Sequence, residues 1–432
     1  MHEVPVSPRP LDGLDGLARG RDLQRFRSTA AGLAPLLDGR TMWHVNSTAS
    51  GGGVAELLHQ LLGYLLDADI SCRWVVAEGD PAFFVVTKRI HNRLHASPGD
   101  GGDLGPAERT AYRSVVEPEA ARFLDEARPG DVAILHDPQT AGLAGPLVRA
   151  GLHVVWVCHV GVDRPDALTR SAWDFLRAEI EPAHAYVFSR HAYAWEGLDA
   201  RKVNVIPPCI DPTSPKNVEL GATDVGAVLT AAGILGPIGP RERARLEDPA
   251  LGTVRIERRA DVVEVDPVPP GAPVVTQVSR WDRLKDHLGV LEGFAEQVDP
   301  NRDAHLLLVG PSPASVSDDP EGAEVFAEIL DAWERLPRER RERAHLVNLP
   351  VEDRVENAVV VNAIQRRSDV VVQKSLAEGF GLTVAEAMWK ARPVIGSAVG
   401  GIQDQLVDGV SGLLVPATDL EALGRAISAL IG

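Results

Sequence analysis

The chain has 432 residues, a formal net charge of −17, 44% hydrophobic and 24% charged residues. That balance is ordinary for a globular protein of two or three domains, and it argues against a general partner for nucleic acid or for an anionic membrane surface. No run of 18 or more apolar residues occurs, so nothing in the sequence is built to span a bilayer.

After residues 1–40, rich in Gly, Pro, Asp and Arg and read as an N-terminal arm with a short helix or two, order is expected to begin with an apolar strand at 41–46. A Gly-rich turn follows, then a helix with Val54, Leu57, Leu58, Leu61, Leu62 and Leu65 on one face. Strands are expected at 70–77, 132–136, 154–159, 185–189 and 203–206, with a helix at 81–94 and further helices between them. This alternation implies right-handed crossovers and a doubly wound sheet over 41–210. Residues 211–270 break the rhythm with prolines and charged residues and read as a hinge and insertion. A second alternating unit occupies 271–432. Its strands are expected at 273–279, 304–310, 344–349, 370–373, 393–396 and 412–415, with helices near 286–297, 321–336, 354–367, 382–390, 402–407 and 418–431. Two such domains facing each other across a cleft would bind ligands at the C-terminal ends of their strands.

The three cysteines, Cys72, Cys158 and Cys209, are odd in number and far apart, which suits reduced thiols rather than a disulfide frame or a zinc cage. The N-terminal residues lack a basic start followed by an apolar run, so a cytoplasmic enzyme is expected. Asp67-Ala-Asp69 ends an amphipathic helix and reads as a polar turn, and no HExxH motif occurs.

The strongest segment is 371–401. Glu378 lies in a glycine-bracketed loop and Glu386 about one turn into the helix that follows. The backbone N–H groups of Phe380, Gly381, Leu382 and Thr383 open that helix and suit hydroxyl or phosphate oxygens. Glu378 could instead cap the helix and Glu386 face solvent; the glycine bracket and the turn at 393–401 favour a ligand site. Arg280 and Lys285 follow the first strand of the second domain and could clamp a diphosphate, or form surface pairs with Asp282 and Asp286. Gly51–Gly53 permit close backbone approach to a ligand but match neither a P-loop nor a GxGxxG fingerprint. His159 ends an apolar strand, where it could be structural or could meet a substrate oxygen.

Together Glu378 and Glu386, Arg280 and Lys285, the Gly51–Gly53 loop and His159 resemble the retaining glycosyltransferases of family four, with their two-Rossmann-domain GT-B fold. HVNSTASGGGVAELLH, HDPQTAGL, IPPCIDPTSPKN and QKSLAEGFGLTVAEAMWK look like the trehalose glycosyltransferring synthase branch. The resemblance implies glucosyl transfer, with the α configuration kept, from ADP-, UDP- or GDP-glucose to the anomeric hydroxyl of free glucose. It implies that Arg280 and Lys285 stabilise the leaving diphosphate. Glu378 and the N–H groups of 380–383 hold the donor sugar and phosphate, and Glu386 binds the ribose. Gly52 and Gly53 approach the diphosphate, and His159 touches the sugar near the reacting centre. Acceptor glucose is expected at Glu78, Asp80, Lys88, Asn92, Asp137 and Gln139, and the base near backbone 349–352. The expected partners are small sugars and nucleotide sugars, without nucleic acid, membrane, metal or cofactor; whether the chain forms a homodimer stays open.

Two other readings stand beside this one. A trehalose phosphorylase would bind free phosphate at Arg280 and Lys285, though a ribose contact at Glu386 then has no purpose. A non-catalytic sugar- or nucleotide-binding protein would bind without turnover. The chain stops at Gly432, just after the helix expected at 420–431, whereas GT-B proteins commonly add a helix that crosses back to the first domain; a missing or short closing helix, and so a truncation, is the expectation.

Overall fold

In the computed structural model, residues 1–49, 53–235, 244–248, 251–313 and 320–432 are described. The chain divides into two compact units, Met1–Cys209 and Ile210–Gly432.

The first unit is built on seven strands: β1 (His2–Val4), β2 (Met42–Asn46), β3 (Cys72–Val76), β4 (Val132–His136), β5 (His153–Cys158), β6 (Ala185–Phe188) and β7 (Val203–Val205). Their order across the sheet is β1-β3-β2-β4-β5-β6-β7. All neighbours run parallel except β1, which pairs antiparallel with β3. Residues 1–40 are therefore more than an arm: they supply an edge strand and the helix Gly20–Leu37. The strands bury both faces. Trp43 and Val45 face one helical layer, while Trp74 and Val76 face Leu58 and Leu62 of the helix Gly53–Asp67. Period-two side chains between two helical layers make this doubly wound sheet. The strand order turns back between β2 and β4, the flavodoxin-like arrangement, so ligands are expected beyond those two strand ends.

The second unit holds the hairpin β8 (Ala244–Asp248) and β9 (Gly252–Ile256), then β10 (Asp261–Val263), β11 (Val274–Val278), β12 (His305–Pro311), β13 (Ala344–Leu349), β14 (Val370–Gln373), β15 (Val394–Ser397) and β16 (Leu413–Val415). The main sheet runs β10-β13-β12-β11-β14-β15-β16, parallel apart from β10. From β13 onward this is the order of a dinucleotide-binding fold, and its switch point lies between β11 and β14. Leu307, Val309 and Val347 pack on one face, and Leu306, Leu308 and Leu346 on the other. The segment 211–270 belongs to this unit. Its helix Ala222–Ala231 and its hairpin bury Val228, Leu229, Val254 and Ile256 against Val359 and Ala363.

Among the described residues no helix is long and apolar enough to cross a membrane. Cys72 and Cys158 are buried, Cys209 is exposed, and none is in a disulfide.

Candidate active site

In the second unit two loops leave the sheet at its switch point. The first follows β11. Trp281 is buried there, its indole N–H donating to the Pro311 carbonyl at 2.8 Å, and it lies so close over Gly310 that a Cβ would collide with the ring. Asp286, at φ 50°, caps the helix His287–Gln297 through the Gly289 N–H. The second loop follows β14 and runs to the helix Leu382–Trp389. Gln277 fastens the two together: its amide N–H donates to the Lys285 carbonyl at 2.7 Å, and its amide oxygen accepts from the Lys374 backbone N–H at 3.0 Å. The Lys374 ammonium, almost fully buried, ion-pairs with Asp286, and the Leu376 N–H donates to the Leu284 carbonyl.

This frame brings Lys285 and Glu378 into contact at 2.6 Å, both largely buried. The Ser375 hydroxyl also donates to Glu378, at 3.1 Å. Arg280 remains half exposed, 3.5 Å from Asp282. Of the surface pairs considered from sequence, Arg280 thus meets Asp282, but Lys285 takes Glu378 rather than Asp286.

The N-cap of the helix Leu382–Trp389 is Gly381 at φ 85°, while the Glu378 carboxylate meets Lys285 and Ser375. Gly401 lets two backbones touch, since a Cβ there would stand 2.6 Å from the Phe380 Cα. The Gln405 amide N–H holds the Phe380 carbonyl at 2.6 Å. The Leu382 and Thr383 N–H groups, at the first turn, lack intrahelical acceptors and present the positive end of the helix dipole. Glu386 is buried, not solvated: Gln365 donates to one of its oxygens at 3.0 Å, and the Lys216 ammonium lies 3.5 Å from the other. Beyond β13, a recess is lined by Arg258, Ala260, Leu349, Pro350 and Asn357.

In the first unit, Gly52 lies outside the described residues, and Gly53 opens the helix Gly53–Asp67, exposed. Beyond β4, Asp137 takes the left-handed conformation at φ 64°. Its carboxylate accepts from the His159 backbone N–H at 2.8 Å, and burial raises its pKa. The turn Asp137–Thr140, with Gln139 half-buried, rests against the helix Pro81–Leu94, which carries Lys88 and Asn92. Asp80 caps that helix through the Phe83 N–H at 2.8 Å, and exposed Glu78 bonds to His2. Asp67 accepts from the Leu11 N–H and Asp69 has φ 59°, the geometry of a polar turn.

His159 stands at the end of a row. Its Nε2 lies 3.2 Å from His136 Nδ1, and His136 Nε2 lies 3.1 Å from His44 Nδ1, with the rings stacked in sequence. Burial pulls His44 down to about 4 and His136 well below the ordinary 6.5, so both rings are neutral near pH 7. Reading the sequence residue by residue missed His44 and His136, as it missed Gln277, Lys374, Lys216 and Gln365. The signal for the histidines was strand register. His44 pairs with Ile134 and His136 with Val157, so each histidine sits two residues further along the next strand, on the same face.

These two sheets, with basic and acidic side chains at a switch point, define a GT-B glycosyltransferase. Comparison with known proteins agrees. Residues 44–195 match the family model described as trehalose synthase, N-terminal domain, and residues 272–432 match glycosyl transferases group 1. A trehalose synthase of Pyrococcus horikoshii is 38% identical over 382 residues, 88% of this chain and 79% of the relative. A trehalose phosphorylase of Pleurotus pulmonarius is 25% identical, across 88% of this chain and 50% of its own. Among solved structures, the UDP-forming α,α-trehalose-phosphate synthase of Burkholderia vietnamiensis superposes with a TM-score of 0.65 at 14% identity, covering 91% of each chain. The chain belongs to the trehalose synthase branch of the group 1 glycosyltransferases, with the GT-B fold.

Proposed function

We propose that the protein transfers glucose from a nucleoside diphosphate glucose to the anomeric hydroxyl of free glucose, forming α,α-trehalose with the donor configuration kept. The observation that carries this reading is the Lys285–Glu378 contact, set beside Arg280 and the first N–H groups of the helix Leu382–Trp389. Breaking the glycosyl–phosphate bond builds negative charge on diphosphate oxygens. Preorganised cations and N–H donors stabilise that charge more in the transition state than in the ground state. Glu378 takes donor sugar hydroxyls, and in doing so gives up Lys285 to the phosphate. Glu386, held by Gln365 and Lys216, takes the ribose hydroxyls. The recess bounded by Leu349 and Pro350 takes the base. The departing phosphate oxygen accepts the proton of the incoming hydroxyl on the same face, so no protein nucleophile is needed. Acceptor glucose is assigned to the turn Asp137–Thr140 and the helix Pro81–Leu94 of the first unit.

The test is turnover of ADP-, UDP- and GDP-glucose with glucose, followed by the appearance of α,α-trehalose and its anomeric signature. Trehalose consumed with inorganic phosphate, but not with a nucleoside diphosphate, would instead establish the phosphorylase reading that the Pleurotus relative raises. Binding of all three donors without product would establish a sugar-binding protein. Arg280 and Lys285 carry the charge neutralisation, and turnover is expected to persist in EDTA. Loss in EDTA with recovery on adding Mg²⁺ contradicts this.

A further inference from the structure

The row of three histidines ends in an asymmetry. His44 lies mid-strand in β2, on the face it shares with Trp74, under the apolar side of the helix Gly53–Asp67, and its Nε2 is buried without a hydrogen-bond partner among the described residues. His136 closes β4, and His159 follows β5 at the ligand end of the sheet. Two N···N hydrogen bonds join the rings, and each needs one shared proton. Two neutral proton patterns are possible. In one, His44 Nδ1–H donates to His136 Nε2, His136 Nδ1–H donates to His159 Nε2, and His159 carries its own proton on Nδ1. In the other, every proton shifts the opposite way and His44 Nε2–H becomes a buried donor with no acceptor among the described residues. A buried N–H without a partner is the rarer fault in folded proteins, so the first pattern is favoured.

We propose that His136 and His44 are positioning residues that hold His159 as the Nδ1–H tautomer, so that His159 offers a hydrogen-bond donor to a sugar oxygen. This rests on the proposed glucosyl transfer and sharpens it. A fixed donor selects an oxygen with a free lone pair, as on a sugar hydroxyl, and cannot accept a proton from the same group. The tautomer is fixed by the fold before the ligand arrives, as second-layer partners orient catalytic or ligating imidazoles elsewhere.

The direct test is ¹⁵N nuclear magnetic resonance of the histidine rings in the full chain near pH 7.5, assigned with single His→Gln variants. The expected result is a bare, pyridine-like Nε2 and a protonated Nδ1 on His159. A protonated His159 Nε2 overturns the proposal. Steady-state kinetics supply a second test. His136→Asp can only accept from His159 and reverses its tautomer; a loss of roughly 100-fold or more in kcat/KM is expected. His136→Asn places an amide donor where Nδ1 stood and should recover most of that loss. Equal losses in the two variants overturn the role. If no glucosyl donor is turned over at all, the ring spectrum still decides the tautomer, and it is the proposed reaction that fails.

Discussion

Lys285 and Glu378 neutralise each other as an ion pair, so the buried cation sits at the switch point without repelling its neighbours. Under the proposed reaction, replacing Arg280 or Lys285 by alanine removes a donor for the developing phosphate charge. The expected loss is about 100- to 1000-fold in kcat with the fold unchanged, read by initial rates and circular dichroism. Near-normal turnover in either variant would show that the charge is met elsewhere. The buried histidines set a pH dependence of stability. Burial lowers His44 to about 4, His287 to about 3 and His136 well below the ordinary 6.5. Below that ordinary value the unfolded chain binds protons that the folded chain refuses, so stability is full above pH 6.5 and falls as the pH drops toward 4. Near pH 5.5 each such ring costs about 1 kcal/mol. The urea midpoint should therefore fall between pH 7.5 and 5.5, and fall less in His287→Phe.

At the level of elements, the sequence reading placed most strands within a residue or two of their observed ends, because β-branched runs bounded by Gly, Pro and Asp leave little choice. The helix expected at 81–94 is found there, begun by the Asp80 cap and Pro81. What stayed hidden depends on pairing between distant strands. Nothing local in HEV marks a strand, since β1 exists only by pairing with β3. Glu378 and Glu386 were visible from their glycine bracket. Lys285 was visible too, but not its pairing with Glu378, 93 residues away; Gln365 and Lys216, which hold Glu386, lie 21 and 170 residues from it, and no spacing rule reaches them. Lys374 is the clearest case: it follows the strand expected at 370–373 and reads as loop, yet its ammonium is buried on Asp286 between the two site loops. Lys374→Ala leaves that carboxylate unpaired. A loss of about 3 to 5 kcal/mol in the second unit is expected, with a higher KM for the donor. Chemical unfolding and donor titration check both, and an unchanged KM would sever Lys374 from the site.

Across the whole molecule, a chain with net charge −17 places Arg280, Lys285 and the opening N–H groups of the helix Leu382–Trp389 at one switch point, the site proposed above for the diphosphate. A nucleoside diphosphate should therefore slow amide hydrogen exchange most at 279–286 and 374–383 of the second unit. Protection confined to other segments would relocate the donor site. The two units also differ in a way the shared alternation concealed: the second follows dinucleotide-binding strand order, whereas the first turns back one strand earlier. Alternation fixes a doubly wound sheet; strand order is decided by which strand edges meet, which a single sequence does not display.

Each sheet ends in a three-residue antiparallel strand drawn from outside the alternating pattern, β1 beside β3 and β10 beside β13. Both pairings close loops of some seventy to ninety residues, the kind of contact that forms late. Until they form, β3 and β13 present open, hydrogen-bond-hungry edges that a second unfinished chain can adopt as its own. Refolding yield should accordingly depend steeply on protein concentration, and these two short antiparallel edge strands act as the molecule's guard against self-association.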